Sequence, residues 1–539
     1  MEKIKRSCFL FLLGLVLASS GFGQNKKYLV LLKDKTGTPF ETSKPAAFLS
    51  QRAIQRRVNQ GISIQARDLP LSPSYLQQIK ATGAKIWYSS KWLNAVMIES
   101  DLATLKKVQA LPFVRGLDGN YALNDVQIKS IRSGKMESTA SPESYGNSLA
   151  QISMLGADKM HENGFRGEGM MIAVFDGGFL GADKAPFFKH IYDEKRLVST
   201  FDFVNNRNYV YDDASHGTSV WSAIGAYSPG SLIGTAFKAS FVLCKTEDDY
   251  SETRTEEANW LIAAEYADSL GVDVINSSLG YYDFDDPATN YTYLQMNGRS
   301  TLITRAADWC AGVGMIVVSA AGNEGSKPWK YISAPADADS ILAIGAVDKN
   351  KNPASFTSRG PSADGRVKPD VAAVGLATTV GGASGIVGAG NGTSFASPLI
   401  AGLVASFWQA FPYLTNMQVM DYIRKSGSKY ASPDTYVGYG IPDFARAVSL
   451  VPPRVSDGKV LLYPNPSSEQ KLRVEFMPKH DGEAFKVSLY NSQGTLLFEN
   501  TITGRTAYLS IDNQSLTAGV YVLKFQGFTT SYTVKWVKY

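Results

Sequence analysis

Cysteine, histidine and long apolar runs are all scarce in this chain. Three cysteines among 539 residues cannot build a disulfide framework, so the fold must rest on packed apolar cores. The sequence holds no uninterrupted apolar run of the roughly 18 residues that a membrane span needs. Charged residues make up 19% and hydrophobic residues 44%, which excludes disorder, collagen and coiled coil as whole-chain descriptions. A net charge of +5 is too small to indicate nucleic acid as a partner. At roughly 100–200 residues per domain, the length implies several structural units.

The charge is unevenly spread. Residues 24–135 hold 18 basic and seven acidic side chains, a net of +11, whereas everything after 135 sums to −8. Opposite fields favour association between two such parts. Ahead of both, Lys3, Lys5 and Arg6 precede the apolar run Cys8–Leu17, and Gly21-Phe22-Gly23 offers small residues for cleavage. That is the pattern of a secretory signal peptide over 1–23. Cys8 lacks the small residues that should precede a lipid-anchored cysteine. The expectation is an exported, soluble protein.

Residues 24–135 read as a small α+β unit. A strand is predicted at Lys27–Lys33, helices at Pro45–Asn59, Tyr75–Thr82 and Leu102–Leu111, and two strands within Ala84–Ser100. Ser, Gly, Thr, Glu and Pro dominate between Ser130 and Asn147, which suggests an exposed linker over 136–149. From 150 to 451, apolar runs without alternation (Met170–Phe175, Phe241–Leu243, Val272–Ile275, Met315–Ser319 and Ile341–Val347) predict strands buried on both faces. Helical stretches at Glu256–Ser269, Ser300–Ala311 and Thr393–Phe411 lie between or after them. In the last, Phe395, Leu399, Leu403, Phe407 and Phe411 recur every four residues, as a buried helix requires. The fold class is therefore α/β, a doubly wound parallel sheet. Short alternating runs over 455–539, punctuated by Pro464-Asn465-Pro466, predict a small C-terminal β-sandwich.

Of only four histidines, His161, His190 and His480 sit in a polar helix, an irregular segment and the C-terminal unit. His216, in Ser215-His216-Gly217-Thr218, opens a helix. Asp176 ends the first apolar strand, at the sheet edge where α/β folds bind ligands. Ser394 opens the buried helix, where unpaired backbone N–H groups favour negative charge. Together the three residue types can perform nucleophilic catalysis: the histidine accepts the serine proton and the carboxylate orients the imidazole. Asn323, just past another strand, is the candidate second donor to an oxyanion; alone, it reads equally as a turn residue.

The order Asp, His, Ser and its contexts (Val174-Phe175-Asp176-Gly177-Gly178, His216-Gly217-Thr218, and Gly392-Thr393-Ser394 followed by Ala396 and Pro398) resemble the subtilisin-like serine proteases, the subtilases. The resemblance implies a serine endopeptidase acting on peptides or proteins through an acyl-enzyme. It also implies a substrate cleft lined by Ser278, Leu279 and Gly280, with Ala321 and Gly322 beside Asn323. One departure stands out: the residue after the Asp is commonly Ser or Thr in that family, and here it is Gly177. A catalytically silent, peptide-binding surface protein of the same fold is the alternative, and Asp176-Gly177-Gly178 is its only support. Residues 24–135 resemble the inhibitor-type propeptide of subtilases. Leu462-Tyr463-Pro464-Asn465-Pro466 and Leu516-Thr517-Ala518-Gly519-Val520-Tyr521 resemble the sorting domain of the type IX secretion route, which implies secretion or an outer-surface location.

No cofactor is required for this chemistry. Gly388-Ala389-Gly390 lacks both the third glycine and the preceding strand of a dinucleotide site. The acids Glu247-Asp248-Asp249 and Asp283, Asp285 and Asp286 leave structural calcium open, although solvated loop acids are the favoured reading because no EF-hand spacing is present. Cys244 and Cys310 are expected as buried free thiols.

Overall fold

The computed structural model describes residues 25–119, 121–123, 145–452 and most of 460–538. The signal peptide expected at 1–23 lies outside them, as does the part of the expected linker before 145. Residues 145–149 are not linker-like: Gly146–Ser148 forms a 3-10 turn and Leu149–Ser153 a helix, both packed on the main core.

The N-terminal unit is an antiparallel sheet of β1 (Lys26–Leu32), β2 (Lys85–Ser90), β3 (Ala95–Ser100) and β4 (Val114–Leu117), in the order β2-β3-β1-β4. The helix predicted from Pro45 is broken. A 3-10 turn at Pro45–Ala47 precedes α1 (Gln51–Gln60), whose start is capped by Ser50 accepting from Ala53 N. Alternation along β1 and β3 gives the sheet two apolar faces. Tyr28, Val30, Leu32, Val96 and Ile98 pack against Ile79, Leu105 and Val108 of the same unit. Leu29, Leu31, Ala95 and Met97 enter a core shared with the main domain.

That main domain is built on seven parallel strands: β5 (Met171–Asp176), β6 (Leu197–Asp202), β7 (Ser240–Lys245), β8 (Val274–Ser277), β9 (Ile316–Ala320), β10 (Leu342–Val347) and β11 (Val371–Val374). Their order is β11-β10-β9-β8-β5-β7-β6, a doubly wound α/β sheet. β6 and β11 extend the set predicted from apolar runs. β6 is a half-exposed edge strand carrying Ser199 and Thr200, and β11 is a four-residue Val-Ala-Ala-Val segment. α2 (His216–Gly225) and α5 (Thr393–Ala410) cover one face, and α3 (Arg254–Leu270) and α4 (Leu302–Gly312) the other. Cys244 and Cys310 lie on β7 and α4, each buried and free. The C-terminal strands form a three-stranded sheet (461–463, 471–475, 506–510) and a four-stranded sheet (484–490, 496–503, 519–526, 531–538), a β-sandwich whose core includes Val474, Phe476, Leu489, Phe525 and Trp536.

The N-terminal unit docks on α3 through buried charge as well as apolar contact. Arg57 and Lys91 reach Asp268 at 2.9 and 3.2 Å, and Arg56 pairs with the same carboxylate. Glu265 accepts from Lys91 N at 2.8 Å and Trp92 N at 3.0 Å, and Arg52 pairs with Asp273. Burial would raise the Asp268 pKa, but Lys91, Arg56 and Arg57 outweigh it and hold the carboxyl at about 2. A depressed carboxylate pKa stabilises the docked state above the ordinary value of 3.8, and that contribution fades as pH falls toward 2. Asp268→Ala leaves buried Arg56 and Lys91 without a carboxylate and Arg57 with Asp68 alone, at 3.6 Å, and should destabilise the full chain by about 3–5 kcal/mol in denaturant titrations near neutral pH. A loss below about 1 kcal/mol would show that apolar contact alone secures docking.

Candidate active site

Neighbouring strands fix where the site can form. β5 is flanked by β8 on one side and β7 on the other, so the chain leaves it in opposite directions and a crevice opens beyond its carboxyl end. Register pairs Phe175 with Ser277, and Ser277 with Ser319, so Asp176, Ser278 and the loop after β9 leave the sheet at one level. Asp176 closes β5, His216 opens α2, Ser394 is the second residue of α5, and Asn323 lies in the loop following β9.

Asp176 and His216 form a hydrogen-bonded pair. His216 Nδ1 stands 2.9 and 3.1 Å from the two carboxylate oxygens. Asp176 is only 1% exposed, and its Oδ1 also accepts from Gly177 N at 2.9 Å. Asp176 thus keeps a backbone hydrogen bond at position 177 that does not depend on a hydroxyl there. The His216 side chain remains 42% exposed on its other edge. Surrounding protein disfavours the imidazolium, but the charge and hydrogen bond of Asp176 outweigh this and raise the histidine above its ordinary 6.5.

Ser394 is held by a feature of its own helix. Pro398, four residues on, has no N–H, so the Ser394 carbonyl has no partner one turn ahead. Ser278 Oγ donates to that carbonyl at 2.9 Å, and Ser394 Oγ donates to Ser278 O at 3.3 Å. Behind them Asn276 Nδ2 donates to Ser278 Oγ at 3.0 Å, and Ser397 Oγ to Asn276 Oδ1 at 2.8 Å. Asn276 and Ser397 went unnoticed in the sequence. Ser397 is polar and sits one turn past Ser394 on an otherwise apolar helix, which is the signal that could have found it.

Two candidate donors, Ser394 N and Asn323 Nδ2, border Gly392 beside the nucleophile. Asn323 Oδ1 accepts from Thr393 N at 2.9 Å, which orients the amide and turns Nδ2 the other way. A Cβ built on Gly392, which has φ +147°, would lie 3.6 Å from both Asn323 Nδ2 and Ser394 N. Any side chain there would enter the space where an oxyanion could be held, so glycine keeps it open.

The expected substrate-binding residues divide into two groups. Leu279 and Gly280 line a cleft of about 510 Å³ that begins at Asp176 and His216. Ser278 is buried behind it, and Ala321 is fully enclosed with Ile332, Ala336 and Ala343. Gly322 donates its N–H to Thr393 Oγ1 at 3.2 Å, and a Cβ there would meet Ser358 Oγ at 2.8 Å. These three are not among the residues that line this cleft, and Gly322 is half-buried. His161 is buried and His190 half-buried, neither lining the cleft, and each is pushed down to about 4, chiefly by desolvation. His190 lies in the short helix Lys189–Asp193 rather than an irregular segment, and His480 pairs with Glu483 in the sandwich.

The acids grouped by sequence are regrouped in space. Glu247, Glu252 and Glu256 bring carboxylate oxygens within 4.8 Å of one another, a hard-oxygen set of the kind calcium takes. Burial first, then the neighbouring acids, drives Glu247 and Glu256 well above the usual carboxylate range. Asp285 instead accepts from Glu252 N at 3.0 Å, and Asp286 caps a short turn through Ala288 N at 3.0 Å.

Comparison with known proteins places this geometry in a family. The model of the Subtilase family matches residues 167–440, that of the Peptidase S8 propeptide domain of Bacteroidota residues 27–138, and that of the secretion system C-terminal sorting domain residues 461–539. Subtilisin E of Bacillus subtilis (strain 168) is 29% identical over 367 residues, covering 67% of this chain and 83% of that protein. Subtilisin DY of Bacillus licheniformis is 30% identical over 292 residues, 54% of this chain and 94% of that protein. Serine protease AprX of Bacillus subtilis (strain 168) is 28% identical over 306 residues, 51% of this chain and 64% of that protein. The sorting domain marks the chain for type IX export to the cell surface or beyond. The chain therefore belongs to the subtilase family of serine proteases, with its own propeptide and sorting domains.

Proposed function

We infer that this chain is a secreted serine endopeptidase in which Ser394, His216 and Asp176 act as a triad. The observation that carries the reading is the buried Asp176 bonded to His216 Nδ1, at the same sheet edge as a serine in the first turn of α5. Ser394 Oγ attacks the scissile carbonyl while His216 Nε2 takes its proton. The tetrahedral oxyanion accepts hydrogen bonds from Ser394 N and Asn323 Nδ2. His216 then protonates the leaving amine, and water, activated by the same histidine, hydrolyses the acyl-enzyme. Ser394 Oγ must first leave Ser278 O, a rotation about one side-chain bond.

The mechanism draws on no cofactor. Glu247, Glu252 and Glu256 are the set that would hold a structural calcium. The 24–135 unit acts as an intramolecular inhibitor until cleaved, after entry through a signal peptide at 1–23. The silent-binder alternative loses its argument from Gly177, because the backbone N–H of that residue supports Asp176.

A fluorophosphonate probe should label Ser394 of processed protein and spare the Ser394→Ala variant. That variant should lose turnover by on the order of a million-fold, the scale shown by subtilisin itself rather than one obtained from these distances. Residual hydrolysis near the parent rate would sink the assignment. Asn323→Ala should lower kcat by about 10²–10³, again the subtilisin scale, with KM nearly unchanged; a change in KM alone would make Asn323 a turn residue only. Because the base must be neutral and Asp176 raises its pKa, the rising limb of kcat/KM should lie above pH 6.5. Asp176→Asn should move that limb to lower pH, and a limb that stays in place would deny Asp176 its role.

A further inference from the structure

The cleft beside His216 is strongly and asymmetrically charged. Eight of its seventeen lining residues are Asp or Glu, against one lysine. Most of these acids are already engaged. Glu247 accepts from Tyr281 OH, Asp248 from Ser251 Oγ at 3.1 Å, and Glu324 from Tyr282 OH at 2.9 Å and Lys327 at 3.1 Å. Asp249 is different. It is exposed at the cleft, and among the described residues it makes no hydrogen bond or ion pair. The nearest buried cation, Lys245, is paired with Asp213.

Asp249 is also the residue that the departure from the family pattern accommodates. A Cβ on Gly177 would stand 2.6 Å from Asp249 Oδ1 and 3.6 Å from Glu247 Cβ. The serine or threonine usual at position 177 would push this carboxylate aside, so the seat that Asp249 takes depends on Gly177. A carboxylate against Gly177, one residue from Asp176 and electrostatically coupled to His216, faces any peptide whose bond is presented to Ser394. The chain itself supplies such a peptide. Leu123 O accepts from Thr255 N at 3.2 Å, next to the acidic wall, and the residues that follow it in sequence include Lys129, Arg132 and Lys135 against Asp125 alone.

Resting on the serine-endopeptidase reading, we propose that Asp249, seated over Gly177, forms a subsite for a lysine or arginine side chain lying within two residues of the bond cut. Substrates are then basic peptides. The chain's own 124–135 stretch, with Lys129, Arg132 and Lys135, is a peptide of that class by composition.

The test uses processed protein and matched fluorogenic peptides in which lysine or norleucine occupies each of the two positions on either side of the bond. Rates are expressed per fluorophosphonate-labelled site, so loss of active protein does not enter. At one position lysine should exceed norleucine in kcat/KM by about tenfold or more, the worth of one partly desolvated ion pair. In Asp249→Asn that ratio should fall to within about threefold, and Gly177→Ser, which pushes the carboxylate aside, should lower it as well. A parent ratio near one, or a ratio undiminished in Asp249→Asn, overturns the proposal. Should the protein neither label nor hydrolyse, the endopeptidase reading fails instead. The subsite is then decided by fluorescence anisotropy with the same peptides: about tenfold tighter binding of the lysine peptide, lost in Asp249→Asn, supports it, and equal affinities refute it.

Discussion

The carbonyl of Ser394 has no partner within its own helix, because Pro398 carries no N–H. Leaving it bare would cost about 1–3 kcal/mol, and the Ser278 hydroxyl removes that cost. The consequence reaches well beyond one bond. Ser278 follows β8, and β8 is in register with β5, so the height of α5 against the sheet is set by the strand beside the one that ends in Asp176. Asn276 and Ser397 complete the network from both sides. A carboxylate, a histidine and a serine separated by more than two hundred residues are thereby placed at one edge by a proline and a parallel register.

The same sheet logic explains how the propeptide domain attaches. Its strands alternate, so one face closes its own core and the other needs a partner, which α3 and α4 provide. Buried charge then specifies where it sits. Asp268 and Glu265 lie one turn apart on α3 and receive three cations and two backbone N–H groups from the docked unit. The other end of α3, at Thr253–Glu256, borders the acidic cleft. One helix therefore carries both the docking surface and the edge of the cleft.

Legibility followed the physics of each element. Strands buried on both faces, such as β5, β9 and β10, announce themselves as apolar runs, and helices with a four-residue apolar recurrence do the same. β6 escaped notice because an edge strand with Ser199 and Thr200 has no continuous run, and β11 because four small residues make too short one. The break before α1 was hidden by good helix formers on both sides, and only the Ser50 cap marks it. Asp176, His216, Ser394 and Asn323 were recognisable because each sits at an element end with a tight local context. The surroundings of Ala321 and Gly322 were not legible in sequence, since they are made by Ile332, Ser358 and Thr393, which come from elsewhere.

Gly177 shows how a residue read as a loss can be a gain of space. In sequence, its missing hydroxyl weakens the case for a supported carboxylate. In the fold Asp176 still accepts from the backbone N–H at 177, and the vacated side-chain volume admits Asp249. The two effects are separable, since a β-carbon at 177 would meet Asp249 and leave the N–H bonded to Asp176 in place. A change at one small residue can therefore leave the hydrogen bonding of the reactive carboxylate intact while altering the charge beside it. In this geometry the support of Asp176 and the electrostatic character of the adjoining cleft are controlled by different atoms of the same residue, so they are free to vary independently.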